Sequence, residues 1–326
     1  MSIIEKAARR IDLDRGQANV PAPVPPQAAA PVIAPVPQAG SDTVETLAAP
    51  GMVAPAVAPV TAAAPALPAP DDEHAAAPGS AVRGSTRKVD LDLAKMRATG
   101  MVTAAGGRTS LLEDFRLIKR PLLKRAFAER TAGDNPGNLI MLTSSLPGEG
   151  KTYCAINLAM SIAMELDHTV LLVDADVARP SVLRTLGLPA ERGLMDLLID
   201  DKLDMSDVLL RTNVDTLSIL AAGTSTPRAT ELLASSTMTS LVHEIANRYP
   251  DRIVIFDSPP LLLTSEARAL ASHMGQIVVV VESQTTTQHA VKEALHQLEG
   301  CPNVNLIYNK TRDIPGIEET YDYHYG

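Results

Sequence analysis

The sequence predicts an α/β fold: a doubly wound, mostly parallel sheet with helices on both faces, preceded by a disordered Pro/Ala-rich N-terminal region. Three observations predict it. Apolar, β-branched runs such as Ile253-Val-Ile-Phe256 and Ile277-Val-Val-Val-Val281 suit strands covered on both faces. These runs alternate with stretches of helical periodicity, as repeated strand–helix units do. A glycine-bearing turn, Ser145 to Thr152, stands between the first such strand and the helix after it.

Taken in order, residues 1–16 read as a short amphipathic helix. Ile3, Ile4, Ala7, Ala8 and Ile11 share one face, with Lys6, Arg9 and Arg10 largely opposite. A helix of about ten residues is unstable alone, so this segment reads either as a docking peptide for a partner or a membrane surface or as a disordered end. Residues 17–88 are the linker: 14 of the 25 prolines fall within 21–80, where Pro and Ala make up more than half the residues. Such a segment buries too little apolar surface to offset its chain entropy. The folded region is expected to begin near residue 105, with lead-in and oligomerisation helices in 89–130. Leu111 to Phe127 reads as a helix interrupted or restarted at Pro121. The core, 131–315, then alternates: strand Leu139–Thr143, helix Gly150–Glu165, strand Thr169–Val173, and helical turns through Leu183–Leu210. Strand Thr216–Leu220, helix Thr237–Tyr249 and strand Arg252–Phe256 follow. Strand Gln276–Val281, helix Thr285–Leu298 and strand Val304–Tyr308 close it. Residues 316–326 form a tail that holds three of the six tyrosines, Tyr321, Tyr323 and Tyr325. A chain with no Trp and three Phe has few aromatics to leave on a frayed end.

Bulk properties exclude several classes. Cys154 and Cys301 are too far apart for metal spacing and too few for a disulfide framework, which points to a reducing cytosol. No apolar run approaches the roughly 20 residues that span a bilayer, and no secretory signal is read at the N-terminus. A net charge of −9 argues against nucleic acid as a partner.

The strongest motif is Ser145-Leu146-Pro147-Gly148-Glu149-Gly150-Lys151-Thr152, followed by Tyr153. Backbone N–H groups of such a turn converge on phosphate oxygens, and the helix N-terminus adds partial positive charge. Lys151 can reach the β- and γ-phosphates of ATP, and the Thr152 hydroxyl can bind Mg²⁺. The textual pattern has Gly where Ser145 stands, yet Gly148 and Gly150 carry the tight turn. A second strand ends in Asp174-Ala-Asp176-Val-Ala-Arg179-Pro180, and a third in Asp257-Ser-Pro-Pro260. Ligands of open α/β sheets sit beyond the carboxyl ends of strands, which places all three carboxylates near the phosphates. Asp257 is expected to hold the metal as the acid of a P-loop NTPase does. Of the adjacent pair, Asp174 is assigned as base and Asp176 to the metal, an assignment that also reads in reverse.

These residues resemble the bacterial tyrosine kinases, a P-loop family of the Walker A/A′/B type shared with cell-division-site ATPases. The resemblance rests on Ser145–Thr152, Leu171–Pro180 and Ile253–Pro260 as the three Walker motifs. Glu231-Leu-Leu after Ala222-Gly223 and the tyrosine tail also carry it. The N-terminal Ser-Ile-Ile-Glu-Lys-Ala and the run Glu113 to Leu123 further resemble tyrosine autokinases of exosortase-type exopolysaccharide loci. The resemblance implies a ring of subunits in which each tail reaches the neighbour's active site. It makes Glu113, Arg116 and Lys119 an oligomer interface, with Lys119 where the family has Arg. It makes Asn309 the residue that reads adenine, and Arg179 a grip on phosphates or the incoming tail. An inner-membrane polysaccharide co-polymerase would be the modulator in trans, with a cognate tyrosine phosphatase. The protein would then be cytoplasmic and peripheral to the inner membrane. A partition or cell-division-site ATPase shares the strand carrying Asp174 and Asp176, but it carries a second Lys early in the P-loop and needs no tyrosine tail. An ATP-dependent assembly scaffold with little kinase activity is the other alternative.

Overall fold

A computed structural model describes residues 87–311 except 105, 106, 108 and 130–132. The amphipathic helix, the linker up to residue 86 and the tyrosine tail lie outside the described residues.

Eight strands form one sheet: β1 (Arg87–Lys88), β2 (Leu139–Ser144), β3 (Thr169–Asp174), β4 (Leu209–Arg211), β5 (Leu217–Leu220), β6 (Arg252–Asp257), β7 (Gln276–Glu282) and β8 (Val304–Asn309). Their spatial order is β1-β4-β5-β3-β6-β2-β7-β8. Every pairing is parallel except β4 with β5. The helices are α1 (Leu93–Ala98), α2 (Ser110–Ala126), α3 (Lys151–Ala163), α4 (Val182–Leu186), α5 (Leu194–Ile199), α6 (Met205–Val208), α7 (Ala229–Leu233), α8 (Ser236–Arg248), α9 (Ser265–Ala271) and α10 (Gln288–Gln297).

The two-residue period of the strands divides the core into two layers. Ile140, Leu142, Leu172, Ile255 and Val280 face α2 and α3. Leu139, Met141, Val173, Phe256 and Val279 face α5, α8 and α9 on the other side. In α3, residues 154–163 are all buried, so the helix after the phosphate loop is a central piece of the core.

Several expectations change. The fold already includes residues 87–104, ahead of the expected start near 105: β1 pairs with β4, and Leu91, Met96 and Val102 are buried. Residues 183–210 are not helical throughout, because Leu209–Arg211 leave α6 to pair antiparallel with β5. Helix α9 was not expected at all. Helix α2 runs unbroken through Pro121. The N–H that proline lacks would face the carbonyl of Leu117, whose side chain is exposed, where water can take its place. Buried Phe115, Lys119 and Leu122 hold the two halves in line from the inner side.

Candidate nucleotide and phosphotransfer site

Strand register brings the site together. Asp174 and Asp257 end β3 and β6 as paired neighbours, and Leu142 of β2 pairs with Asp257. The phosphate loop leaves β2 and enters α3 through Gly150, whose φ of 94° is left-handed, as is Gly148 at 86°. Side chains other than glycine rarely adopt such angles.

Lys151 Nζ donates to Asp176 Oδ2 at 2.7 Å and lies 3.7 Å from Asp257 Oδ1. Thr152 Oγ1 donates to Asp257 Oδ2 at 2.6 Å and lies 2.8 Å from Ser181 Oγ. A cavity of about 550 Å³ opens beside these groups, lined by Gly148, Lys151, Thr152, Asp176, Arg179 and Arg184 among others. Arg179 and Arg184 are exposed at its rim.

The three carboxylates are not equivalent. Asp257 is fully buried, and burial pushes its carboxyl up to about 7 against the opposing Lys151 charge and Thr152 hydrogen bond. Burial also pushes Asp174 up to about 6, against hydrogen bonds from the backbone of Val182 and Ser181. Asp174 Oδ2 accepts both N–H groups at 2.9 Å, while its Oδ1 takes only a 3.3 Å contact from Asp176 N. Asp174 is absent from the lining of the phosphate cavity. It lines a neighbouring cleft of about 160 Å³ with Leu183, Leu188, Ala221 and Ala222, and Arg184 borders both spaces.

A magnesium ion suits this donor set. Asp257 Oδ1 is buried without a hydrogen-bond partner, and Asp176, Thr152 and Ser181 add oxygens alone. Among the described residues no cluster of three or more His, Cys, Asp or Glu could cage a metal. An ion here must therefore complete its shell with water and phosphate, as Mg²⁺ does.

Of the remaining expected residues, Pro147 and Tyr153 also line the cavity, and the others go elsewhere. Ser145 is buried, with its hydroxyl unpartnered. Leu146 and Pro147 are exposed on the loop. Glu149 is buried and turned away from the cavity: Leu146 N donates to its Oε2 at 2.6 Å, and Thr286 Oγ1 donates to its Oε1. Tyr153 Oη donates to Gly100 O at 2.6 Å and fixes the segment before α2. Asn309 Nδ2 donates to Glu149 O at 2.8 Å and does not line the cavity. The Cys154 thiol is buried in α3 and pushed up to about 12 by that burial, as a packing residue would be.

Of the expected oligomer residues, the exposed Glu113 and the partly exposed Arg116 are paired to each other at 2.5 Å. Lys119 is a correction. Its side chain is buried, donating to Ser161 O at 2.6 Å and pairing with Glu165, so it ties α2 to the end of α3 within one chain. Sequence reasoning missed Ser181, Arg184 and Lys310. The first two follow Asp176 closely enough to have been read as part of the same motif.

A family model described as an AAA domain matches residues 137–310. Tyrosine-protein kinase YwqD of Bacillus subtilis is 33% identical over 177 residues, 54% of this chain and 73% of that protein. Tyrosine-protein kinase CpsD of Streptococcus agalactiae is 28% identical over 178 residues, 54% of this chain and 76% of its own length. Among solved structures, the BceF tyrosine kinase domain superposes with a TM-score of 0.54 at 25% identity, over 70% of this chain and 92% of that one.

Proposed function

This chain belongs to the bacterial tyrosine-protein kinases, built on the AAA-domain core that residues 137–310 match, and from that premise we propose that it moves the γ-phosphoryl group of ATP onto its own C-terminal tyrosines. Transfer runs between neighbouring copies in a ring. One observation carries the reading: at the phosphate cavity Lys151 and Thr152 meet Asp176 on its wall and the buried Asp257 behind it, while Asp174 faces a separate apolar cleft next door.

Two adjoining spaces suit two substrates. The triphosphate occupies the larger, against the N–H groups of the loop and the Lys151 ammonium. Thr152, Asp176 and Asp257 are the residues that would hold Mg²⁺, which neutralises charge on phosphate oxygens when bound. The phenol ring of an incoming tyrosine suits the cleft walled by Leu183, Leu188, Ala221 and Ala222. Its oxygen attacks the γ-phosphorus, the bond from that phosphorus to the ADP oxygen breaks, and the phenolic proton passes to Asp174. Oδ1 is the oxygen available for that proton, since Oδ2 is occupied by two backbone N–H groups. A carboxyl pushed up to about 6 is a better proton acceptor than an ordinary aspartate. Arg184, bordering both spaces, and Arg179 are placed to stabilise charge on the transferring group.

The pair of exposed Glu113 and partly exposed Arg116 on α2 supports a surface through which copies associate. No helix among the described residues is long and apolar enough to cross a membrane. The proposed setting is the cytoplasmic side of the inner membrane, reached through a polysaccharide co-polymerase that modulates the kinase, with a phosphatase resetting the tail. The regulated process is exopolysaccharide polymerisation and export.

Intact-mass measurement after incubation with Mg²⁺ and ATP tests the core of this reading. Wild type is expected to gain up to three phosphates on the tail, and Lys151→Ala or truncation after Thr320 none. Asp174→Asn should bind ATP yet transfer little. Wild type that stays unphosphorylated with its partner segment present would remove the kinase reading, and undiminished phosphate after truncation would move the acceptors elsewhere.

A further inference from the structure

We infer that Asn309 and Lys310, side by side at the end of β8, are positioning residues that aim the phosphate loop's N–H groups into the cavity. The inference rests on the ATP-binding reading above and goes beyond it. Asn309 Nδ2 donates to Glu149 O and Lys310 Nζ to Gly148 O, each at 2.8 Å. Neither side chain lines the phosphate cavity, whereas Gly148, Gly150 and Lys151 of the loop do.

Peptide geometry turns these two contacts into a function. All peptide bonds of the described chain are trans, and in a trans unit the N–H points opposite to the C=O. Holding the carbonyls of Gly148 and Glu149 towards β8 therefore directs the N–H groups of Glu149 and Gly150 to the other side. That side is where a triphosphate would lie. A cation on the Gly148 carbonyl also polarises the peptide and makes its N–H a stronger donor.

The anchor is braced from a second strand. Glu282, the register partner of Asn309 at the end of β7, pairs with Lys310 at 2.9 Å, and its N–H donates to Glu149 Oε1 at 3.3 Å. Thr286 Oγ1 donates to the same oxygen. Lys310 has a left-handed φ of 56°, a conformation a lysine keeps only where its surroundings hold it. The fit is close at the other end too. A Cβ on Gly150 would stand 2.1 Å from Asn309 Nδ2, so any side chain there would displace the amide. Base reading, the role expected for Asn309, would leave the loop's affinity for phosphates untouched.

Calorimetric titration of the full chain with Mg-ATP and Mg-ITP, which share a triphosphate but differ in the base, separates these roles. Asn309→Ala and Lys310→Met are each expected to weaken ATP and ITP equally, by about fivefold for the neutral Asn309 amide bond and about tenfold for the charge-assisted Lys310 bond. Lys310→Arg should restore most of the affinity. Lys310 is half exposed, so Lys310→Met should keep the wild-type melting temperature without nucleotide. Unaltered ATP affinity in both variants would overturn the inference alone. So would a loss in Asn309→Ala that is confined to ATP, which would return that residue to base reading. Wild type that binds neither nucleotide would overturn the phosphotransfer reading and this inference with it.

Discussion

Lys119→Met separates two incompatible placements of one side chain. As part of an oligomer surface, Lys119 would be needed between copies and of little use within one. In the structure its side chain is 6% exposed, with Nζ on Ser161 O at 2.6 Å and on the Glu165 carboxylate. Methionine keeps most of the stem volume and the packing under α2, so the substitution removes mainly the charge and its hydrogen bonds. A hydrogen bond to a charged group contributes about 1.5–3 kcal/mol. The partly exposed Glu165 adds little beyond that, because solvent screens it. The expected loss is about 2 kcal/mol, or a fall in melting temperature of roughly 4–8 °C for a domain of this size.

The pH dependence gives a second readout. The Lys119 hydrogen bond holds the Glu165 carboxyl below its ordinary value of 4.5. A depressed folded value means the contribution is present above pH 4.5 and is lost as pH falls through the folded value. The gap between wild type and Lys119→Met should therefore be widest at neutral pH and narrow below pH 4.5. Denaturant unfolding at several protein concentrations, with light scattering alongside, makes the measurement. Arg116→Ala is the control, since its exposed pairing with Glu113 is worth only about 0.2–0.5 kcal/mol. An unchanged Lys119→Met midpoint together with a smaller particle would refute the intramolecular placement.

Two further substitutions test other parts of the frame. Asn157 is fully buried in α3, accepting from Val102 N at 2.6 Å and donating to Tyr153 O at 2.8 Å; Asn157→Ala should cost about 1–3 kcal/mol by stranding the Val102 N–H. It should also open residues 87–104 to limited proteolysis, and an unchanged digestion pattern would count against that docking. Asp257 binds a proton in the folded chain up to about pH 7 that the unfolded chain releases near 3.8. Its contribution to stability is therefore full below the lower value and lost as pH rises through the upper one. In metal- and nucleotide-free protein, Asp257→Asn should raise the melting temperature at pH 8 and give no advantage near pH 4; with Mg²⁺ and ATP added, it should abolish phosphotransfer. A lower melting temperature at pH 8 would show that the buried carboxylate is stabilised more than it is strained.

What could be read from the sequence divides by the range of the interaction that fixes each feature. Strands β2, β3, β6 and β7 were legible because both their faces are covered, which leaves unbroken apolar runs. The phosphate loop was legible because its glycines answer a local backbone demand, seen in the φ angles of Gly148 and Gly150. Strands β1 and β4, two and three residues long, have no room for a period, and only pairing with neighbouring strands, β4 for β1 and β1 and β5 for β4, defines them. Pro121 signals a break locally, yet buried side chains before and after it overrule the signal.

Charged side chains were the least legible, because their spacing along a helix does not say which face the rest of the fold will cover. Lys119 and Arg116 are three residues apart on α2, and α3 covers one and leaves the other partly exposed. Asn309 and Lys310 are the same case at a strand end. Parallel pairing sets β8 against β7 so that Glu282 meets Asn309, and that register carries the two donors to the back of the phosphate loop. The loop's own residues therefore account for its turn but not for the direction of its N–H groups. That direction depends on two side chains roughly 160 residues away in sequence. A transplanted Ser145–Thr152 segment without that strand end should accordingly keep its glycine turn and bind triphosphate weakly.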